Sequence, residues 1–121
     1  MSRRAVVTGS SSGIGAAIAA RLLRDGWQVA GVDRQPPQAE APGLAHHAVD
    51  LADAATTTAI AQALLDAGPV DALVHAAGLL HAAPLGALSA AAGTAMWQVH
   101  VEAATRLADA LLPAMARADH G

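Results

Sequence analysis

Short apolar runs alternate with longer stretches of helical spacing along the 121 residues. Ala5-Val6-Val7, ended by Thr8-Gly9, predicts a buried strand. From Ile14 to Arg24 the apolar residues Ile14, Ala17, Ile18 and Leu22 share one side of a helix. Asp25-Gly26 stops it, the glycine serving as C-cap. Gln28 to Asp33 reads as a second strand. Arg34 to Leu44 carries Pro36, Pro37, Pro42 and Gly43 and predicts a loop. His46 to Val49 is a short third strand. Asp53 is the expected N-cap of a helix over Ala54 to Ala67, closed by Gly68-Pro69. Asp71 to His75 is a fourth strand. A turn-rich segment through Gly78, Pro84 and Gly86 leads to a long helix from about Thr94 to Met115, with Pro113 limiting its last turn. Strands alternating with helices imply an α/β fold whose strands are parallel and joined by right-handed crossovers.

Composition narrows the chemistry. Hydrophobic residues make up 54% and charged residues 14%, with mean hydropathy +0.37, so the chain carries enough apolar surface to fold. Much of that apolar content is Ala, which predicts close-packed elements. Seven basic residues, all Arg, against ten acidic ones leave a net charge of −3. Lys, Tyr, Phe and Cys are absent. Their absence excludes a disulfide framework, a thiolate nucleophile, Cys-ligated zinc, a Schiff base, a phosphate-binding lysine and a phenolic acid or base in these residues. A mildly acidic chain with 2% aromatics is poorly suited to nucleic acid, and no nucleic-acid partner is expected. After the basic start Met1-Ser2-Arg3-Arg4, the short run Ala5-Val6-Val7 gives way at once to Thr8-Gly9-Ser10, so there is no apolar h-region and no signal peptide is expected. Ala72 to Val101 lacks Asp, Glu, Lys and Arg, yet it holds three His, Pro84 and three Gly. It reads as the interior of a soluble protein rather than a membrane span, and the missing export signal and cysteine fit the cytoplasm.

Candidate chemistry begins at Thr8-Gly9-Ser10-Ser11-Ser12-Gly13-Ile14-Gly15, between the first strand and the first helix. Gly9 permits a tight turn off the strand. Gly13 removes a side chain where a pyrophosphate must approach the backbone, and Gly15 lets the helix pack close to the sheet. Exposed N–H groups and the positive end of the helix dipole then favour an anion, with Ser10 and Ser12 as further donors. A Ser/Gly-rich turn without a ligand is the alternative, disfavoured by the strand before and the helix after. Asp33 closes the second strand 18 residues past Gly15, where a carboxylate accepts from both ribose hydroxyls and repels a 2′-phosphate. NAD is therefore expected over NADP. Arg34 opposes this, because a guanidinium can clamp a phosphate, but its place in the Pro-rich loop reads as a solvated charge.

These residues, with Asp50-Leu51 after the third strand and Ala76-Ala77-Gly78 after the fourth, stand in the order and spacing of the short-chain dehydrogenase/reductase family, which the chain resembles from Arg4 to Met115. The resemblance implies a Rossmann-type doubly wound parallel sheet, of which residues 1–121 would form the first four βα units. It implies that Gly9, Ser12, Gly13, Ile14 and Gly15 hold the pyrophosphate and adjacent ribose, and that Asp33 holds the adenosine ribose. Asp50 and Leu51 would take the adenine. Ala76, Ala77, Gly78 and Val99 would line the cofactor cleft. Taken alone, Asp50 reads equally well as a helix-capping acid. The loop over Arg34 to Leu44 replaces a helix that many members have, as in NAD-dependent dihydrodiol-type members.

Two positions depart from the family pattern. Its Asn-Asn-Ala-Gly is here His75-Ala76-Ala77-Gly78, and the helix Asn of its proton relay is here His100. Histidine both donates and accepts, so a relay through His100 is chemically feasible. A buried, hydrogen-bonded histidine without a catalytic role is the other reading. His75, His81 and His100 share no carboxylate or Cys at ligand spacing, and no metal site is expected. In the family the chemistry is done by a Ser and by Tyr and Lys in Tyr-x3-Lys, beyond the fourth βα unit. These residues hold no Tyr or Lys. The expectation is a cofactor-binding half-domain, inactive alone, with the rest of the domain C-terminal to Gly121. The intact protein would move hydride between nicotinamide and a small alcohol or ketone. A non-catalytic NAD-binding or structural module complete at 121 residues is the alternative. The 94–115 helix is apolar on more than one face, which predicts a homodimer or homotetramer.

Overall fold

The computed structural model describes residues 2–119 and 121. The chain runs β1 (Arg4–Thr8), α1 (Gly13–Arg24), β2 (Gln28–Asp33), β3 (Leu44–Ala48), α2 (Ala54–Asp66), β4 (Ala72–His75) and α3 (Ala90–Trp97). A π-helical turn (Gln98–Glu102) then leads into α4 (Ala103–Arg117). The four strands form one parallel sheet in the order β3-β2-β1-β4. Thr8 lies between Val32 on one side and His75 on the other, and Asp33 stands opposite Ala48. The parallel strands are those the strand–helix alternation predicts, and their order is the Rossmann-type, doubly wound α/β arrangement that the family resemblance implies.

Strand alternation divides the side chains between two faces. Val6, Ala30 and Val32 join Ile60, Ala61 and Leu64 of α2 and Ala103, Leu107, Leu111 and Met115 of α4 in the larger core. The α4 residues recur every fourth position and make a single buried stripe. Ala5, Val7 and Val29 face α1, where Ala19 is buried and Ile18, Leu22 and Leu23 are half-buried. Asp53 caps α2 by accepting from Thr56 N–H at 3.1 Å. Gly26, at φ 89°, closes α1: its N–H bonds to Leu23 O and that of Trp27 to Leu22 O. Arg4 finishes α2 from the neighbouring strand, its Nη1 donating to the Leu64 and Gly68 carbonyls at 3.1 Å.

Four boundaries and faces differ from the sequence expectation. β3 begins at Leu44 and ends at Ala48, because pairing with Val29 to Asp33 recruits the end of the Pro-rich stretch. The buried side of α1 is Gly15 and Ala19, while Ala17 is exposed and Ile14 is 77% exposed. The small residues let the helix sit close to the sheet, which turns Ile14 outward. The long helix starts at Ala90, where Ser89 Oγ accepts from Ala92 N–H, and the π turn interrupts it. Pro113 does not end it. Pro113 and Asp109, whose carbonyl loses its donor, are both solvent-exposed, so water can replace the missing bond and α4 continues to Arg117. Among the described residues no helix is long and apolar enough to cross a membrane.

Candidate functional site

The crossover from β1 to β2 puts α1 on one face of the sheet, and that from β3 to β4 puts α2 on the other. The chain therefore parts at the carboxyl ends of β1 and β4, where ligands of such folds bind. A cleft of about 370 Å³ opens there. Its lining includes Gly9, Ser12, Gly13, Ile14, Asp33, Asp50, Leu51, Ala76, Ala77, Gly78 and Val99. Every cofactor residue expected from the sequence is thus brought together except Gly15 and Ser10, whose hydroxyl lies against Gly31 of β2 rather than in the cleft.

Gly15 serves the cleft from behind. A Cβ on it would overlap the Gly9 carbonyl, so only glycine lets α1 start directly against the turn. Gly9 has φ 68°, and a Cβ there would lie 2.7 Å from the Ala77 backbone. Its N–H anchors the turn on Val32 O at 2.8 Å. Gly13, at φ 54°, faces open space. Asp53 and Ser89 cap α2 and α3 with their side chains. Ser12 makes no such cap on α1, and the first turn carries no acid. Among the described residues, then, no side-chain cap satisfies the first amides of α1, which leaves them to an anion approaching across Gly13. This donor set fits a pyrophosphate.

The acidic side of the cleft is organised by backbone donors. Asp33 Oδ2 accepts from Ser11 N–H at 3.0 Å and Oδ1 from Gln35 N–H at 2.9 Å. Ser11 Oγ donates to the Gln35 carbonyl at 2.8 Å, which ties the glycine loop to the loop after β2. Arg34 is exposed on the same rim. Asp50 Oδ1 accepts from Ala52 N–H at 2.9 Å. Because Asp53 is the cap of α2, Asp50 does not have that task and stands on the cleft wall above buried Leu51.

The opposite wall depends on two histidines. Thr8 and His75 are register partners, and Thr8 Oγ1 lies 2.9 Å from His75 Nδ1. Ala77 N–H donates to Thr8 Oγ1 at 3.1 Å, and His75 Nε2 lies 2.9 Å from the Val99 carbonyl. His100 is exposed rather than buried. Its Nε2 lies 2.9 Å from Leu79 O and 3.1 Å from Leu79 N, so it donates to the carbonyl when protonated there and accepts from the amide when not. Gly78 makes room for the ring, since a Cβ would stand 2.9 Å from His100 Cε1. His100 belongs to a neighbouring apolar hollow of about 610 Å³ with Met96, Trp97 and Val101, and Gly78 and Leu79 line both hollows. Among the described residues no group of three His, Cys, Asp or Glu side chains could hold a metal ion.

Sequence reasoning missed Ser11, Gln35 and Leu79. Ser11 and Gln35 hold Asp33 through backbone N–H groups available to any residue type, the Ser11 hydroxyl adds its own bond to the Gln35 carbonyl, and Leu79 is brought in by the course of the loop. The signal for His75 was its place in the Asn-Asn-Ala-Gly motif, but its partners come from strand register.

A short chain dehydrogenase family model matches residues 3–121. D-threitol dehydrogenase of Mycolicibacterium smegmatis is 41% identical over 95 residues, covering 70% of this chain and 36% of that protein. The 2,3-dihydro-2,3-dihydroxybenzoate dehydrogenase of Escherichia coli is 41% identical over 75 residues, 61% of this chain and 30% of that one. The crystal structure of a metagenomic short-chain oxidoreductase in complex with NADP superposes with a TM-score of 0.84 at 32% identity, covering 98% of this chain and 59% of that chain. The matches thus span about a third of these curated relatives and somewhat over half of the solved one. With the glycine turn, the acid closing β2 and the carboxyl-edge cleft in place, the chain belongs to the short-chain dehydrogenase family.

Proposed function

We propose that this chain is the dinucleotide-binding part of an NAD(P)-dependent oxidoreductase that moves hydride between nicotinamide and a small alcohol or ketone. The observation that carries this reading is the single cleft lined by the glycine turn, Asp33, Asp50, Ala76 to Gly78 and Val99. In the bound state the first-turn amides of α1 would hold the pyrophosphate across Gly13, and Asp33 the adenosine ribose. Asp50 and Leu51 would flank the adenine. The nicotinamide would supply or accept the hydride. His100 stands where the family relay has Asn and can donate or accept at Nε2, so we assign it to proton handling beside the cleft. Tyr and Lys of the family would come from residues outside these 121.

Asp33 supports NAD over NADP, because its carboxylate, held by Ser11 and Gln35, would repel a 2′-phosphate. The NADP-bound relative leans the other way, and Arg34 lies on the same rim. Calorimetric titration of this chain with each dinucleotide tests the reading. NAD should bind at least about tenfold tighter, a difference of roughly 1.4 kcal/mol, and Asp33→Ser should narrow the gap. Tighter binding of NADP would reverse the preference, and binding of neither would overturn the function. We extend the reading to a cytoplasmic homodimer or homotetramer built on the 94–115 helix. The exposed Trp97, Val101 and Leu112 support it. Light scattering that shows a monomer at micromolar concentration would refute the assembly.

A further inference from the structure

The bonds around His75 have one consistent direction. The Val99 carbonyl can only accept, so His75 Nε2 carries the hydrogen in that 2.9 Å contact. In the neutral ring Nδ1 is then an acceptor, and Thr8 must give it the hydroxyl hydrogen across 2.9 Å. The Thr8 oxygen is left to accept from Ala77 N–H at 3.1 Å. The chain of donors therefore runs from Ala77 through Thr8 to His75, and from His75 to Val99. It joins the ends of β1 and β4, the floor of the cleft and the helix that forms its far wall.

The π turn makes the last link available. Ala103 N–H reaches back five residues to the Gln98 carbonyl. The helical bond that would close on Val99 closes on Gln98 instead, and the Val99 carbonyl takes the imidazole N–H. Such turns recur at functional sites because they redirect backbone groups. Val99 is the residue of this turn that lines the cleft, and His100 follows it.

We infer that His75 is a positioning residue: a strap from the sheet to the Val99 carbonyl that holds the π turn, and with it Val99 and His100, against the dinucleotide cleft. The role rests on the proposed function for its ligand but not for its geometry. A side chain ending at the position of Nδ1, as Asn does, can still accept from Thr8 and falls short of Val99. Gln reaches the position of Nε2 and can donate to Val99, but offers Thr8 no acceptor at Nδ1.

The test uses this chain with His75→Asn and His75→Gln, read by dinucleotide titration, amide exchange and imidazole nitrogen NMR. Wild type should show Nε2 protonated and Nδ1 bare when neutral. His75→Asn should weaken dinucleotide binding about three- to tenfold, the loss of one hydrogen bond's worth, and speed exchange over residues 98–103. His75→Gln should restore both to within about twofold of wild type. A bare Nε2 overturns the strap. So does His75→Asn with unchanged affinity and exchange, and so does equal loss in both variants with the π turn still protected. If the wild-type chain binds neither dinucleotide, the functional reading falls alone, and the tautomer and exchange arms still judge the strap. If His75→Asn fails to fold, His75→Gln and the wild-type tautomer decide it.

Discussion

The two faces of the sheet are covered unequally. Beneath α2 and α4 the side chains interlock into a core that includes fully buried Leu64, Leu107 and Leu111. On the α1 face the buried cluster is Ala5, Val7, Ala19 and Val29, and the larger apolar residues around it are only half-buried. The reason is local. Between β2 and β3 the chain has a Pro-rich loop where a helix would otherwise cover that face, so β3 has thin cover there. His46 and His47 record the difference in adjacent residues. His46 pairs with Gly31 on the α1 side, and both its ring nitrogens are buried with no hydrogen-bond partner among the described residues. His47 pairs with Val32 on the crowded side. There, burial first, then the Arg4 guanidinium and then His46 hold its pKa below the usual 6.5. Dense packing is therefore spent where the cleft's far wall must be held, and the near side relies on a few close backbone approaches.

Truncation on each face should expose the contrast. Leu107→Ala should cost about 3 kcal/mol or more in chemical denaturation, whereas Ile18→Ala, half-buried beside α1, should cost about 1 kcal/mol. Equal losses would erase the distinction. Gly15→Ala should be the exception on the α1 face. Its Cβ meets backbone that cannot rotate away, and a loss of up to about 3 kcal/mol together with a weakened cleft is expected. His46→Leu removes an orphaned imidazole at similar volume and should stabilise the fold by about 1 kcal/mol, seen as a higher unfolding midpoint. A drop would mean that the ring has a partner in solution.

The smallest effect is the pH dependence of His47. The unfolded chain binds its proton near 6.5 and the folded chain only at lower pH. The stability present above pH 6.5 is therefore lost as pH falls through 6.5 towards the folded value. His47→Gln should flatten that decline in denaturation curves between neutral and mildly acidic pH. A steeper decline in the variant would contradict the sign.

Most of the candidate site was legible because its chemistry is written in local backbone demands. A turn that needs positive φ at Gly9 and Gly13, and a helix that must start against Gly9, leave glycine at fixed spacing. An acid at the end of β2 is equally local. The inward face of α1 was misjudged because apolar periodicity counts Ile14 as core, while small Gly15 and Ala19 are what permit close packing. The early start of the long helix and its passage through Pro113 were hidden for a different reason. A serine cap at Ser89 competes with a turn-rich context, and a proline is tolerated wherever its face is solvated. The π turn has no local signature in Gln98 to Glu102.

The sequence by itself determined the order of strands and helices, the glycine turn, the acids at the strand ends and the family these residues belong to. All of these follow from spacing along the chain. Tertiary structure alone decided which histidine holds what. His75 reaches Thr8 because parallel register sets β1 beside β4, and it reaches Val99 because the π turn offers a carbonyl there. His46 lacks a hydrogen-bond partner among the described residues because register with Gly31 buries its ring nitrogens where no polar group meets them. Hydrogen bonds between residues far apart in sequence depend on register and helix pitch, and neither can be read from the residues that make them.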